Sequence, residues 1–395
     1  MYKIKTLNKI SDIIYNELPA DRYLIGDDVE DEDAILLRSF NCLDMKFSPN
    51  LLAIARAGAG YNNIPVDCCS DNGIVVFNTP GANANAVKEL VFGAMLLSSR
   101  NLLSGTQWVQ GLKGNGKDIS RLVEKGKNQF IGPELSGKKL GVIGLGAIGV
   151  MVANMGHAIN MDVYGYDPYL SVAAAWGISR ATHRAQSLDE LLSVCDYISL
   201  HIPMTEKTRN FISTEEIAKM KPGVTLLNFA RGEIVDNQAV VEAVAQGKVA
   251  RYIVDFPTGD ILGQDNIICI PHLGASTPES EENCAQMAAH QLRDFLEYGN
   301  IMNSVNFPYC QLPYTGLFRL CITHQNTSNM VGQITSVVGE RKANISDMIN
   351  RSSKQIAYTI LDLDEPLNQD GVNRLYGIGG IKRIRIIDAK TNGER

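Results

Sequence analysis

Along most of the chain, short apolar runs alternate with longer stretches in which apolar residues recur at helical spacing. This is the pattern of an α/β protein with parallel sheets. In the first region the strand candidates are Ala34–Arg38, Leu51–Arg56 and Ile74–Asn78, followed by a helix over Val87–Arg100. That helix places Leu90, Val91, Ala94, Leu97 and Ser98 on one face. A second series opens after Leu135-Ser-Gly-Lys-Lys, with strands over Leu140–Ile143, Asp162–Tyr166, Tyr197–His201, Thr225–Ala230, Tyr252–Asp255 and Ile267–Ile270. Such a series, with helices between the strands, predicts a doubly wound sheet. Ser213-Thr-Glu-Glu216 has the form of a capping box for one of those helices. The helix over Glu279–Tyr298 is long enough to cross back, so the second region is predicted to be inserted into the first.

The texture changes at Pro308–Pro313. Beyond it the pattern gives strand Phe318–His324, helix Met330–Glu340, strand Ile345–Asn350, strand Ala357–Asp362, a short helix near Val372–Tyr376 and strand Ile381–Ile387. This βαββαβ order predicts a compact independent unit. The expected division is 1–98 with 280–313, then 99–279, then 316–395.

Composition narrows the function. Apolar residues are 45% and charged residues 20% of 395 positions, the balance of a globular protein with two or three cores. A formal charge of −6 argues against nucleic acid or an anionic membrane as partner. Met1-Tyr-Lys-Ile-Lys-Thr lacks the apolar stretch of a signal peptide, and no apolar run reaches the roughly 18 residues a membrane span needs, so a cytoplasmic location is expected. Eight scattered cysteines, of which only Cys68 and Cys69 are close, read as free thiols in a reducing compartment. The six histidines show no metal-ligand spacing, so no metal is expected.

Gly144-Leu-Gly146-Ala-Ile-Gly149 follows one apolar strand and opens the next helix. Alone, the spacing would also suit a bare structural turn. Between strand and helix, it gives a sharp turn, close approach to a pyrophosphate and tight helix–strand packing. Asp167 ends the next strand, 18 residues after Gly149. A carboxylate there accepts ribose hydroxyls and repels a 2′-phosphate, favouring NAD over NADP. Arg231 follows the strand Thr225–Ala230, at the edge where ligands of such sheets bind, and its guanidinium suits a carboxylate. His272 follows the last strand of the series, and an imidazole there can take the hydroxyl proton during hydride transfer.

Gly144–Gly149, Ala230-Arg231-Gly232 with Ile-Val-Asp236, and Pro271–Thr277 resemble the D-isomer-specific 2-hydroxyacid dehydrogenases. Arg56-Ala-Gly-Ala-Gly60-Tyr-Asn-Asn is similar to that family's substrate loop, and Gly73-Ile-Val-Val-Phe-Asn-Thr79-Pro to the segment reaching the nicotinamide. The tail resembles an ACT domain, an amino-acid-sensing module. The resemblance implies a Rossmann-type NAD domain inserted in a flavodoxin-like substrate domain, with the ACT-like domain appended. It implies NAD-dependent oxidation of 3-phosphoglycerate, on the route to L-serine, by a homo-oligomer, dimer or tetramer. The same machinery would serve a hydroxypyruvate or glyoxylate reductase, and the fold also occurs in NAD-sensing corepressors.

Carried over by resemblance, Arg231 binds the substrate carboxylate and His272 exchanges the proton. Arg56, Ala57, Gly58 and Asn62 hold the phosphate. Cofactor contacts fall on Thr79, Gly144, Gly146, Ala147, Ile148, Gly149, Asp167, Ile202, Phe229, Ala230, Arg231, Asp255, His272, Gly274 and Ala275. The family places a carboxylate beside the histidine in Asp-Val-Phe-x-x-Glu-Pro, where this chain has Asp255-Phe-Pro-Thr-Gly-Asp260. The same count from Asp255 lands on Asp260, with Asp255 the alternative. In the tail, His324, Asn326, Asn344 and Ile345 match residues that bind L-serine between paired ACT domains in regulated relatives. The Pro-Gly expected after Asn326 is absent, which leaves a structural dimer interface as the other reading. A hinge is expected near residues 98–100 and 276–280.

Overall fold

The computed structural model describes residues 1–314, 318–340 and 343–388. The chain divides into two compact units, Met1–Asn83 with Glu281 onward, and Ala84–Ser280. The first unit begins with strands β1 (Tyr2–Leu7), β2 (Tyr23–Gly26), β3 (Ala34–Leu37), β4 (Ala53–Arg56) and β5 (Val75–Phe77), with helix α1 (Val66–Asp71) before β5. They form a parallel sheet in the order β2-β1-β3-β4-β5. The pattern of apolar runs missed β1 and β2. Lys3 and Lys5 interrupt β1, yet Ile4 is fully buried while both ammonium groups reach outward to the carbonyls of Glu30 (3.2 Å) and Val29 (3.0 Å).

The second unit opens with helices α2 (Ala84–Ser99), α3 (Leu102–Gly111) and α4 (Ile119–Gly126). It continues through β6 (Lys139–Ile143), α5 (Ala147–Ala158), β7 (Asp162–Tyr166), α6 (Val172–Gly177), β8 (His183–Arg184), α7 (Leu188–Val194) and β9 (Tyr197–Leu200). It ends with α8 (Thr214–Lys219), β10 (Val224–Asn228), α9 (Asn237–Ala245), β11 (Val249–Val254) and β12 (Ile267–Cys269). The parallel sheet has the order β12-β11-β10-β9-β6-β7-β8, so the strand order reverses between β9 and β6. All six expected strands are present, and the capping box forms as expected, with the Glu216 carboxylate accepting from the Ser213 amide at 3.1 Å. The compact division falls before α2 rather than near residue 98, because Val87, Val91, Phe92 and Met95 share a core with Leu140, Val152 and Phe229. Helices α3 and α4 bury no residue and carry no core stripe to betray them.

Helix α10 (Pro278–Tyr298) leads to β13 (Phe318–Gln325), α11 (Met330–Glu340), β14 (Ile345–Ser353), β15 (Ile356–Leu363), α12 (Gln369–Tyr376) and β16 (Ile381–Asp388). The antiparallel order is β14-β15-β13-β16, matching the expected βαββαβ arrangement. Residues 316, 317, 341, 342 and 389–395 of the expected C-terminal domain lie outside the described residues.

This sheet does not stand alone. Leu320, Ile322, Leu361 and Ile334 form a core on its helical face. On the opposite face, Cys321, Tyr358, Ile360 and Ile387 join the core of the N-terminal sheet, with Ile4, Leu36, Val75 and Phe295. Polar contacts reinforce the junction. Arg385 donates to the carbonyls of Phe295 (3.2 Å) and Leu296 (2.9 Å) in the last turn of α10, and Arg383 to those of Leu51 and Pro49. Arg319 is fully buried, paired with Asp362 at 2.6 Å, and donates to the carbonyls of Tyr298, Leu312 and Pro313 at 2.9 Å each. No helix among the described residues is long and apolar enough to cross a membrane.

Removing one partner of such a pair leaves a buried, uncompensated charge. Arg319→Met is therefore expected to destabilise the first unit by roughly 3–5 kcal/mol in urea unfolding. Adding Asp362→Leu to Arg319→Met should recover part of that loss. A single variant as stable as the parent would show that the clasp contributes nothing.

Candidate active site

The cofactor edge lies at the carboxyl ends of β6 and β9, where the strand order reverses. Gly144 has φ +89°, and a Cβ there would lie 2.6 Å from the His201 carbonyl oxygen. A Cβ on Gly149 would meet the Gly144 carbonyl at 1.9 Å, so α5 can start this close to the turn only with glycine. Gly146 differs: a Cβ there would meet no protein atom within 4 Å. Nothing within the chain demands glycine at that position, whereas close approach of a pyrophosphate does. Ala147 and Ile148 follow in the first turn of α5, at the positive end of its dipole. The Asp167 carboxylate accepts from the amides of Leu145 and Tyr169, each at 2.8 Å, which leaves a further acceptor site on each oxygen for ribose hydroxyls. These features fit NAD.

Two groups absent from the sequence-based site support this edge. His201 follows β9 next to Ile202, with Nε2 2.8 Å from the Ser199 hydroxyl and its buried Nδ1 without a hydrogen-bond partner among the described residues. Desolvation pushes the imidazole down to about 3, so it is neutral. Asn228, fully buried at the end of β10, accepts from the Ala230 amide (3.2 Å) and donates to the Arg231 carbonyl (2.9 Å). It thereby folds Phe229-Ala230-Arg231 into the turn that leaves the guanidinium exposed. A buried asparagine at a strand end was the available signal.

Asp255 organises the other side. It is 1% exposed, and its two oxygens accept from the amides of Leu273 and Gly274 at 2.8 Å each. Burial pushes its carboxyl above the usual range, opposed by those amides and by the charge of nearby His272. A Cβ on Gly274 would sit 2.9 Å from the Asp255 carboxylate, so the glycine is what lets the loop close on it. His272 itself is exposed and has φ +52°, a left-handed conformation uncommon for histidine. Its amide bonds to the Ile270 carbonyl at 3.0 Å, and Ala275 continues the loop half-buried. Phe256 neighbours both side chains, its ring 4.7 Å from that of His272 and 6.0 Å from the guanidinium carbon of Arg231.

Asp260 makes no hydrogen bond to His272 among the described residues. Its exposed carboxylate is held below the usual range by the hydroxyl of Thr258, its own loop backbone and Asn237. Its bond to Asn237 ties it to the first residue of α9. Of the two candidate aspartates, Asp255 is the one coupled to His272.

In the first unit, Arg56 donates from Nε to the Arg38 carbonyl (2.9 Å) and from Nη1 to the Gly60 carbonyl. Its guanidinium thus braces the loop of Ala57, Gly58 and Asn62. The Thr79 hydroxyl is buried without a hydrogen-bond partner. In the C-terminal sheet, His324 is corrected: it is 1% exposed, with its ring nitrogens 2.8 Å from the Thr359 hydroxyl and the Gln325 carbonyl. β13 runs one residue beyond His324, which pairs with Ala357 and points its ring into the buried interior. Asn326 and Asn344 are exposed, but the register puts Asn326 beyond the Gln325–Ile356 end and Asn344–Ile345 at the Phe318–Leu363 end. One chain keeps them at opposite ends of the sheet.

A parallel sheet whose switch point carries this glycine turn, with a ribose acceptor on the next strand, defines a dinucleotide-binding oxidoreductase domain. A model of the D-isomer specific 2-hydroxyacid dehydrogenase NAD-binding domain matches residues 92–274. A D-3-phosphoglycerate dehydrogenase of Haemophilus influenzae is 31% identical over 352 residues, covering 86% of this chain and 82% of that one. Another, of Methanocaldococcus jannaschii, is 32% identical over 390 residues, covering 93% and 70%. The NAD-bound 3-phosphoglycerate dehydrogenase of Entamoeba histolytica superposes with a TM-score of 0.61 at 27% identity, over 77% of this chain and 98% of that one. The chain belongs to the D-isomer-specific 2-hydroxyacid dehydrogenase family and is an NAD-dependent enzyme.

His201 makes the second unit sensitive to acid. Its folded pKa is depressed from an ordinary value near 6.5, so its contribution is complete above that pH and is lost as pH falls toward about 3. Between about pH 6.5 and 5, unfolding free energy should drop by about 1.4 kcal/mol per unit from this group. His201→Gln should flatten that dependence, and an unchanged slope would remove His201 as its source.

Proposed function

We propose that the chain oxidises D-3-phosphoglycerate to 3-phosphohydroxypyruvate with NAD, the first step of L-serine biosynthesis, in the cytoplasm. The observation that carries this is the match to D-3-phosphoglycerate dehydrogenases over most of the chain. The arrangement of Arg231 and His272 about Phe256 is consistent with it. Arg231 takes the substrate carboxylate through parallel hydrogen bonds and polarises the adjacent C2–O bond. His272 accepts the proton of the C2 hydroxyl as the C2–H electron pair leaves and the carbonyl forms. NAD supplies the hydride acceptor. Among the described residues no carboxylate hydrogen-bonds the His272 ring, so Asp255 serves it through the loop amides and its charge. Arg56 and the amides of the Ala57–Asn62 loop take the phosphate.

The C-terminal domain is read as an ACT-like effector module of a homo-oligomer. Support for association comes from α3 and α4, which bury nothing yet expose Leu102, Leu103, Val109 and Ile119. An L-serine site would combine Asn326 of one copy with Asn344 and Ile345 of a second, since one chain separates them. His324 then supports the loop from within the sheet instead of meeting the ligand.

With NAD, turnover of 3-phosphoglycerate should exceed that of D-glycerate, and preference for unphosphorylated hydroxypyruvate or glyoxylate would overturn the assignment. His272→Ala should lower kcat about a hundred- to ten-thousandfold while NADH binding, followed by fluorescence, persists. Titration calorimetry is expected to show L-serine binding that Asn344→Ala weakens. Absence of serine heat in the intact protein would leave the domain a structural part of the assembly.

A further inference from the structure

The Ala57–Asn62 loop is anchored by three consecutive carbonyls. That of Gly58 accepts from the Thr79 amide at 3.1 Å, that of Ala59 from the Asn78 side chain at 2.6 Å, and that of Gly60 from Arg56. In a trans peptide the carbonyl and the following N–H point in opposite directions. Drawing these carbonyls into the protein therefore turns the N–H groups of Ala59, Gly60 and Tyr61 outward. None of the three donates a hydrogen bond among the described residues. Successive outward amides form a nest for an anion.

Asn78 is the side chain that fixes the middle peptide of this nest, and it is itself held. Gln291, 2% exposed on α10, donates to the Asn78 carbonyl at 3.2 Å, and the Asn78 amide bonds to the Asn303 carbonyl at 3.3 Å. The Gln291 side-chain oxygen is buried without a hydrogen-bond partner among the described residues. An amide kept there despite an unsatisfied oxygen points to the bond its nitrogen makes.

We propose that Asn78, braced by Gln291, is a positioning residue for the substrate phosphate: it holds the Ala59–Gly60 peptide with its N–H turned toward the anion. This rests on reading the loop as the phosphate site. Asn78 touches no substrate in this account and acts only through the peptide it orients. Replacing it by alanine frees that peptide, while aspartate sets a carboxylate against the Ala59 carbonyl and should be worse. Gln291→Met removes the brace together with the orphaned oxygen, so it should change thermal stability little.

The experiment measures KM and kcat for 3-phosphoglycerate, turnover of D-glycerate, and competitive inhibition by inorganic phosphate. Loss of one charge-assisted hydrogen bond corresponds to roughly a tenfold change. Asn78→Ala should raise KM for 3-phosphoglycerate and the inhibition constant for phosphate about tenfold, with D-glycerate turnover and KM for NAD little changed. Gln291→Met should move the same two constants in the same direction by a smaller factor. If kcat and D-glycerate turnover fall and KM for NAD rises together with a drop in melting temperature, Asn78 is merely structural and the proposal fails. Arg56→Met serves as the control. If it abolishes the preference for the phosphorylated substrate while Asn78→Ala does not, positioning by Asn78 is wrong and the loop assignment stands. If neither variant alters that preference, the loop is not the phosphate site.

Discussion

The Asp255 carboxylate is the point on which the shape of the loop carrying His272 depends. A buried carboxylate is costly unless its oxygens are bonded, and here each takes one backbone amide, from Leu273 and Gly274. Those two bonds fix the start of the loop that holds His272 at φ +52°, a conformation that relaxes unless its surroundings determine it. The next residue, Phe256, then fills the space between the imidazole and Arg231. Asn228 performs the matching task at β10, folding the Arg231 turn with two side-chain hydrogen bonds. The exposed side chains of Arg231 and His272 are thus set by buried polar residues at neighbouring strand ends.

Much of this architecture was legible in the residues. The apolar strands of the second unit, the glycine turn and the βαββαβ tail are each dictated by local patterns, and each is present. What local patterns do not carry is direction. Counting along Asp255-Phe-Pro-Thr-Gly-Asp260 could not show that Asp260 turns toward Thr258 and Asn237 while Asp255 turns inward. Resemblance makes His324 a ligand residue, but a matching position does not show that its ring is buried against the Thr359 hydroxyl.

The docking of the C-terminal sheet has a signature in its residues. A sheet with helices on one side and water on the other alternates apolar and polar residues, whereas Leu320-Cys321-Ile322 and Ile360-Leu361 run without alternation. Both faces are covered, one by α11 and α12 and the other by the end of α10 and the segment that follows it. The domain is therefore continuous with the unit that carries Arg56, and it grips the last turn of α10 through Arg385. Helix α10 also carries Gln291, beneath Asn78. A change in the C-terminal sheet would be felt first in that unit.

The most direct test of the account is amide hydrogen exchange at Leu273 and Gly274, paired with steady-state kinetics, in Asp255→Asn. An asparagine keeps the size of the side chain but presents an NH2 group to one of the two amides. The account predicts faster exchange at both amides and a fall in kcat of about a hundredfold or more, the scale of positioned proton transfer. Protected amides with undiminished kcat would contradict it, because His272 would then be held by something other than Asp255.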